Sequence, residues 1–148
     1  KQKTAYEIRL SLVGSEMCIR DRGGYAVAFH GHPRATKDMD ILVRPSASNA
    51  RRVYAALAAF GAPLHAFDVS EADFMDYDGV LQVGVAPVRI DIINRIAAVD
   101  FDEVVGAGDA FTLDGRRIAV IGREALLKNK RAAGRPQDIA DVDVLSRG

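Results

Sequence analysis

The alternation of apolar and polar positions changes rhythm several times along this chain, and each change marks an element. Met39 to Val43 is short and mostly apolar, which predicts a buried strand ended by Pro45. A helical rhythm follows. Val53, Leu57 and Phe60 keep the four-then-three spacing of one helix face, with Ser46 or Ser48 as N-cap and Gly61 as the stop. Ala62 to Asp78 is less regular and predicts only a short helix near Ser70 to Met75. Val80 to Val85 and Val88 to Ile93 predict two strands joined across Ala86 and Pro87. Phe111 to Leu113 and Arg117 to Ile121, joined through Asp114-Gly115, predict a second hairpin. Two helices close the chain: Glu124 to Ala133, stopped by Gly134, and Gln137 to Leu145, with Ile139, Val142 and Leu145 on one side. Earlier, Gly23-Gly24 precedes a brief predicted helix from Tyr25 to His30, halted by Gly31 and Pro33. The order predicts an α/β (α+β) domain, a small mixed β-sheet with helices packed on it.

Composition narrows the function classes. The chain has 148 residues, enough for one domain with a core; it is 49% hydrophobic and 27% charged, with no formal net charge. No run of eighteen apolar residues is present, so no membrane association is expected, and neutrality argues against a domain that holds nucleic acid by charge alone. Residues 1–22, KQKTAYEIRLSLVGSEMCIRDR, closely resemble translated sequencing-adapter read-through and are set aside as a non-native segment, which leaves a single domain over residues 23–148. That removes the one cysteine, Cys18, with its thiol, disulfide and metal chemistry. It also removes five basic and three acidic residues, leaving 15 against 17 and a net charge of −2. A cysteine-free, mildly acidic domain fits the cytoplasm.

The chemistry concentrates in acidic residues at strand positions. Asp38 and Asp40, two apart in TKDMDILV, share one face of a strand while Met39 and Ile41 take the other. A third carboxylate, Asp91, sits inside the apolar run VRIDII. If the two strands are neighbours, three carboxylates converge and require a strong counter-charge; magnesium, which favours hard oxygen ligands and substrate phosphates, is the natural one. The bland alternative is a set of ion pairs, with Arg34, Lys37 or Arg89 neutralising the aspartate pair and Arg89 or Arg95 neutralising Asp91. A calcium loop is rejected, because Leu42 and Val43 stand where oxygen ligands and a turn glycine are needed.

Gly23-Gly24, thirteen further residues, Asp38-x-Asp40 and a later Asp91 within a strand together resemble the nucleotidyltransferase superfamily named for DNA polymerase beta. The resemblance is to its small bacterial branch of minimal nucleotidyltransferases and abortive-infection type toxins. It covers GGYAVAFHGHPRATKDMDILV, then VGVAPVRIDII and ALLKNKRAAGRPQDIADVDVL, or about residues 23 to 146. The resemblance implies a nucleotidyltransferase fold and a magnesium-dependent enzyme that moves a nucleoside monophosphate from an NTP such as ATP to a hydroxyl on RNA, a protein or a small molecule. An antitoxin is the partner implied. Asp38, Asp40 and Asp91 would be catalytic and hold two Mg2+ ions; Gly23 and Gly24 would let the triphosphate approach the backbone, where only a missing side chain permits it. Arg34, Thr36, Lys37 and Lys130 would be nucleotide-binding.

For Lys130 and its neighbour Lys128 the plainer reading is a solvated basic helix face. For Arg34 and Lys37, which flank the acid pair, the plainer reading is simple charge balance. His30 and His32 lack a third ligand at sensible spacing and are read as turn-side structural residues. Gly134 and Asp138 are read as a helix stop and a helix start. The chain departs from the branch at SEMCIRDR, where members carry an apolar strand; loss of that support is expected to weaken the fold and with it activity. A second function class stays open beside the enzyme: a module of the same fold that binds metal-nucleotide or a protein partner without turnover.

Overall fold

The computed structural model describes residues 17–20, 30–31, 38–75, 81–83, 89–106, 108–113 and 115–147. Its strands are β1 (Met17–Arg20), β2 (Asp38–Val43), β3 (Leu81–Val83), β4 (Arg89–Ile93), β5 (Asp109–Leu113) and β6 (Arg116–Val120). Its α-helices are α1 (Ala47–Phe60), α2 (Phe101–Gly106), α3 (Arg123–Ala133) and α4 (Pro136–Arg147), with a 3-10 turn at Glu71–Phe74. The fold is mixed α/β. The strands β3-β4-β2 form one part of the sheet and the β6-β5 hairpin another, and β1 joins them into the order β3-β4-β2-β1-β6-β5. The strand β1 lies within the segment set aside from the sequence reading, yet its backbone occupies the middle of the sheet, antiparallel to β2 and parallel to β6.

At the heart of the sheet β2 and β4 run parallel. Parallel neighbours need a long crossover, and here it contains α1, the 3-10 turn and β3. The helix α1 starts where Ser46 Oγ accepts the Asn49 backbone N–H at 3.3 Å. It ends at Gly61, whose φ of +101° suits a residue without a Cβ and whose N–H reaches Leu57 O and Ala58 O. Asn49, Ala50, Val53 and Leu57 form its buried stripe. Ala50, Val53 and Leu57 join Met39, Ile41, Val43, Ile90 and Ile92 in one apolar core, which also takes in Ile118, Val120 and Leu126.

The hairpins follow the sequence reading: β3 pairs antiparallel with β4, and β5 with β6 across the Gly115 turn, where φ is +74°. The helix α2 is not foreseen by the sequence pattern, since six residues hold too few periods to show a face. It is joined to β5 through Gly108, where a Cβ would stand 2.8 Å from Val104 O and 3.1 Å from Val120 O. Pro136 opens α4, where its missing N–H costs nothing. This helix departs from expectation in its buried side. Leu145 is enclosed and Val142 half-buried, but Ile139 is exposed and the inward positions belong to Asp138 and Asp141. The predicted helix at Tyr25 to His30 lies outside the described residues apart from His30, which stands in a turn. There, with a largely buried side chain, His30 lies 3.1 Å by its Nε2 from Ile121 O, a structural tie to the end of β6. His32 lies outside the described residues. Among the described residues no helix is long and apolar enough to cross a membrane.

Candidate functional site

The parallel register of β2 and β4 decides which acidic residues meet. Asp40 pairs with Asp91, and Asp38 with Arg89. Residues in register on adjacent strands share a face, so Asp40 and Asp91 stand side by side, opposite in direction to Met39, Ile41, Ile90 and Ile92. The row continues in both directions: Arg20 of β1 is in register with Asp40, and Gln82 of β3 with Asp91. Four strands thus place Arg20, Asp40, Asp91 and Gln82 in one line across the sheet. Asp40 is 1% exposed and Asp91 is fully buried. Enclosing two carboxylates at adjacent positions is unfavourable without positive charge.

Part of that charge comes from Arg89, two residues before Asp91 on the same face. Its Nε lies 3.2 Å from Asp91 Oδ1. The pairing of Asp91 with Arg89 is the ion pair that the sequence offered as the plainer account, although it forms inside the acidic row and not on another surface. About a third of the Arg89 side chain stays exposed, while the Nε that meets Asp91 is itself buried. Asp38 heads β2 two residues before Asp40; its side chain is outside the described ones. Gly23, Gly24, Arg34, Thr36 and Lys37 also lie outside the described residues.

Lys130 departs from its plainer sequence reading. It is fully buried, not on a solvated helix face. Its Nζ donates to Asp141 Oδ2 at 2.8 Å and lies 3.5 Å from Asp138 Oδ1. Arg135 adds a bond from Nε to Asp138 Oδ2 at 2.7 Å, and Gln137 Nε2 donates to Asp141 Oδ1 at 3.1 Å. Burial pushes the Asp138 carboxyl up, but the hydrogen bond and charge of Arg135 with the charge of Lys130 outweigh it and hold the group below its ordinary value. The ammonium is therefore held by two carboxylates that lock α3 to α4, and it meets a phosphate only by leaving them. Lys128, by contrast, is exposed and pairs with Glu103 at 2.8 Å.

Among the described residues no three His, Cys, Asp or Glu side chains gather to enclose a metal ion. Asp40 and Asp91 are nevertheless a suitable donor pair for magnesium, which is often held by one or two carboxylates together with substrate phosphates. Their rigid strand positions fix the spacing. No protein-family model matches the chain, and no curated protein matches it. The site must therefore be read from its own geometry. A separate open cleft of about 410 Å³ lies toward the other end of the two parallel strands, lined by Leu42, Asn94, Arg95, Val99 and Phe101 among others, and it includes none of the acidic row.

Two members of the row escaped the sequence reading. Gln82 carries no signal of its own, because strand register is a tertiary fact. Arg20 lies in the segment set aside. Arg89 was visible as a possible counter-charge through its two-residue spacing from Asp91.

Proposed function

We propose that this chain is a magnesium-dependent nucleotidyltransferase that moves a nucleoside monophosphate from an NTP to a hydroxyl on RNA, a protein or a small molecule, as a toxin-antitoxin component would. One observation carries the reading: Asp40 and Asp91, 51 positions apart in sequence, are brought into register and buried on one face of parallel strands. A protein with no use for divalent cations gains little from such an arrangement, since an apolar pair there would be cheaper to enclose.

In this reading Asp40 and Asp91, with Asp38 one strand repeat away, hold the cations. A divalent ion bound there supplies the positive charge that gathers the phosphates and lowers the pKa of the attacking hydroxyl. The strands do the positioning, because carboxylates fixed by sheet hydrogen bonds lose no freedom when substrate arrives. The acceptor oxygen bonds to the α-phosphorus as the bond to the bridging oxygen breaks, and pyrophosphate leaves on the far side. Gly23 and Gly24, outside the described residues, would by the family resemblance give the triphosphate its close approach to the backbone.

The test is pyrophosphate release from mixed NTPs and Mg2+ in the presence of total RNA or protein extract. Wild type is expected to release it, and Asp40→Asn and Asp91→Asn to fall by at least two orders of magnitude, as loss of a charge-stabilising group commonly costs. Mg2+-dependent NTP binding without release would instead favour the non-catalytic module.

A further inference from the structure

We infer that Arg89 is a positioning residue whose guanidinium stands in for the divalent cation at Asp91 and is displaced when the cation binds. The inference rests on the metal reading of the acidic row given above. Its starting point is an asymmetry. Asp91 is fully buried in a strand flanked by β2 and β3, whereas Arg89 keeps about a third of its side chain at the surface. The two meet at 3.2 Å through Nε and Oδ1. Arg89 also shares its register position with Asp38, at the start of the same acidic face.

Charge then decides which arrangement holds. Without a cation, the guanidinium offsets two adjacent carboxylates that would otherwise repel and be costly to bury. A divalent ion taking an oxygen of Asp91 would bring two positive charges within a few ångströms of a third. At that separation like charges repel strongly even at the effective dielectric of a protein surface. The ion and the seated guanidinium therefore exclude each other, and the more exposed partner is Arg89. Once released at the rim, its planar fork suits a phosphate oxygen pair, which gives a triphosphate arriving with the metal a ready second contact.

The experiment measures Mn2+ binding, by electron paramagnetic resonance of the free ion, to the full chain without nucleotide. Arg89→Gln is expected to bind Mn2+ more tightly than wild type, on the order of tenfold, because no guanidinium competes. The comparison variant Arg95→Gln removes a charge beyond the end of the same strand and is expected to bind like wild type. Equal tightening in both variants would mean a diffuse field effect and overturn the proposal, as would unchanged or weaker binding by Arg89→Gln. A second readout is thermal unfolding: in chelator Arg89→Gln should melt below wild type, and saturating Mn2+ should close the gap. A gap that persists overturns the proposal. If Arg89→Gln does not fold, Arg89→Met, which keeps the length of the chain without its charge, carries the binding test, with tightening expected and equality with wild type contradicting it. Absence of Mn2+ binding in every form would remove the metal reading and this proposal together. Displacement as expected with no pyrophosphate release would leave this proposal standing and remove only nucleotidyl transfer.

Discussion

Among the described residues two pairs of buried aspartates stand in different surroundings. Asp138 and Asp141 enclose Lys130, a cation with no exposure at all, and further bonds from Arg135 and Gln137 complete the cluster. Asp40 and Asp91 are as deeply buried, but Arg89, seated against Asp91, keeps about a third of its side chain at the surface. The first arrangement is closed and joins two helices. The second seats a half-buried arginine against one of its carboxylates. A sealed cluster serves the fold, while a cluster whose positive partner is partly exposed is available to a ligand.

That contrast is broken most sharply at Lys130. Lys130→Met leaves two enclosed carboxylates around an apolar chain and is expected to destabilise by about 3 to 5 kcal/mol, read from urea unfolding. Adding Asp138→Asn and Asp141→Asn should recover much of that loss. If Lys130 instead serves nucleotide alone, Lys130→Met will unfold like wild type. Asn129, next to it, donates from Nδ2 to Ala97 O at 3.0 Å and tethers the loop before α2 to α3. Asn129→Ala is expected to cost about 1 kcal/mol, the usual net worth of one hydrogen bond.

The acidic row should respond in the opposite direction. Asp40→Asn removes one of two neighbouring negative charges, so the metal-free protein is expected to gain stability on the order of 1 kcal/mol, as sites kept for function often do when neutralised. Loss of stability in that variant would assign Asp40 to the same structural class as Asp138. Ala98 offers a smaller check on the backbone. Its φ is +65°, a left-handed conformation that disfavours any Cβ, so Ala98→Gly should raise the melting point by an amount worth about 1 kcal/mol or less.

Acid sharpens the comparison further. The Asp138 carboxyl is held below its ordinary value of 3.8, so the folded state binds the proton less readily than the unfolded chain. Its contribution to stability is complete above 3.8 and is lost as pH falls through the lowered folded value. The difference in urea midpoint between wild type and Asp138→Asn should accordingly be present at neutral pH and shrink in strong acid.

Much of the fold is legible along the chain because local signals agree with tertiary demands. Ser46, Gly61 and Gly134 cap helices where their chemistry suggests, and Gly115 turns the β5–β6 hairpin. The alternation in VRIDII and MDILV places both acids on strands, but the sequence cannot give their register, and register is what sets Asp40 beside Asp91. Two readings fail for a shared reason. The pattern puts Ile139 on the inner face of α4 and, in the plainer reading, Lys130 in solvent, because apolar periodicity takes no account of a buried ion cluster that turns Asp138 and Asp141 inward. The helix α2 is too short to reveal a period, and β1 was set aside on the likeness of its residues to adapter sequence.

The central claim, that the Asp40–Asp91 row binds metal-nucleotide, is tested most directly by equilibrium dialysis of ATP against wild type, Asp40→Asn and Asp91→Asn, with Mg2+ and with chelator. Binding by wild type that depends on Mg2+ and is lost in both variants is the predicted result. ATP binding that ignores both the metal and the two substitutions would contradict it.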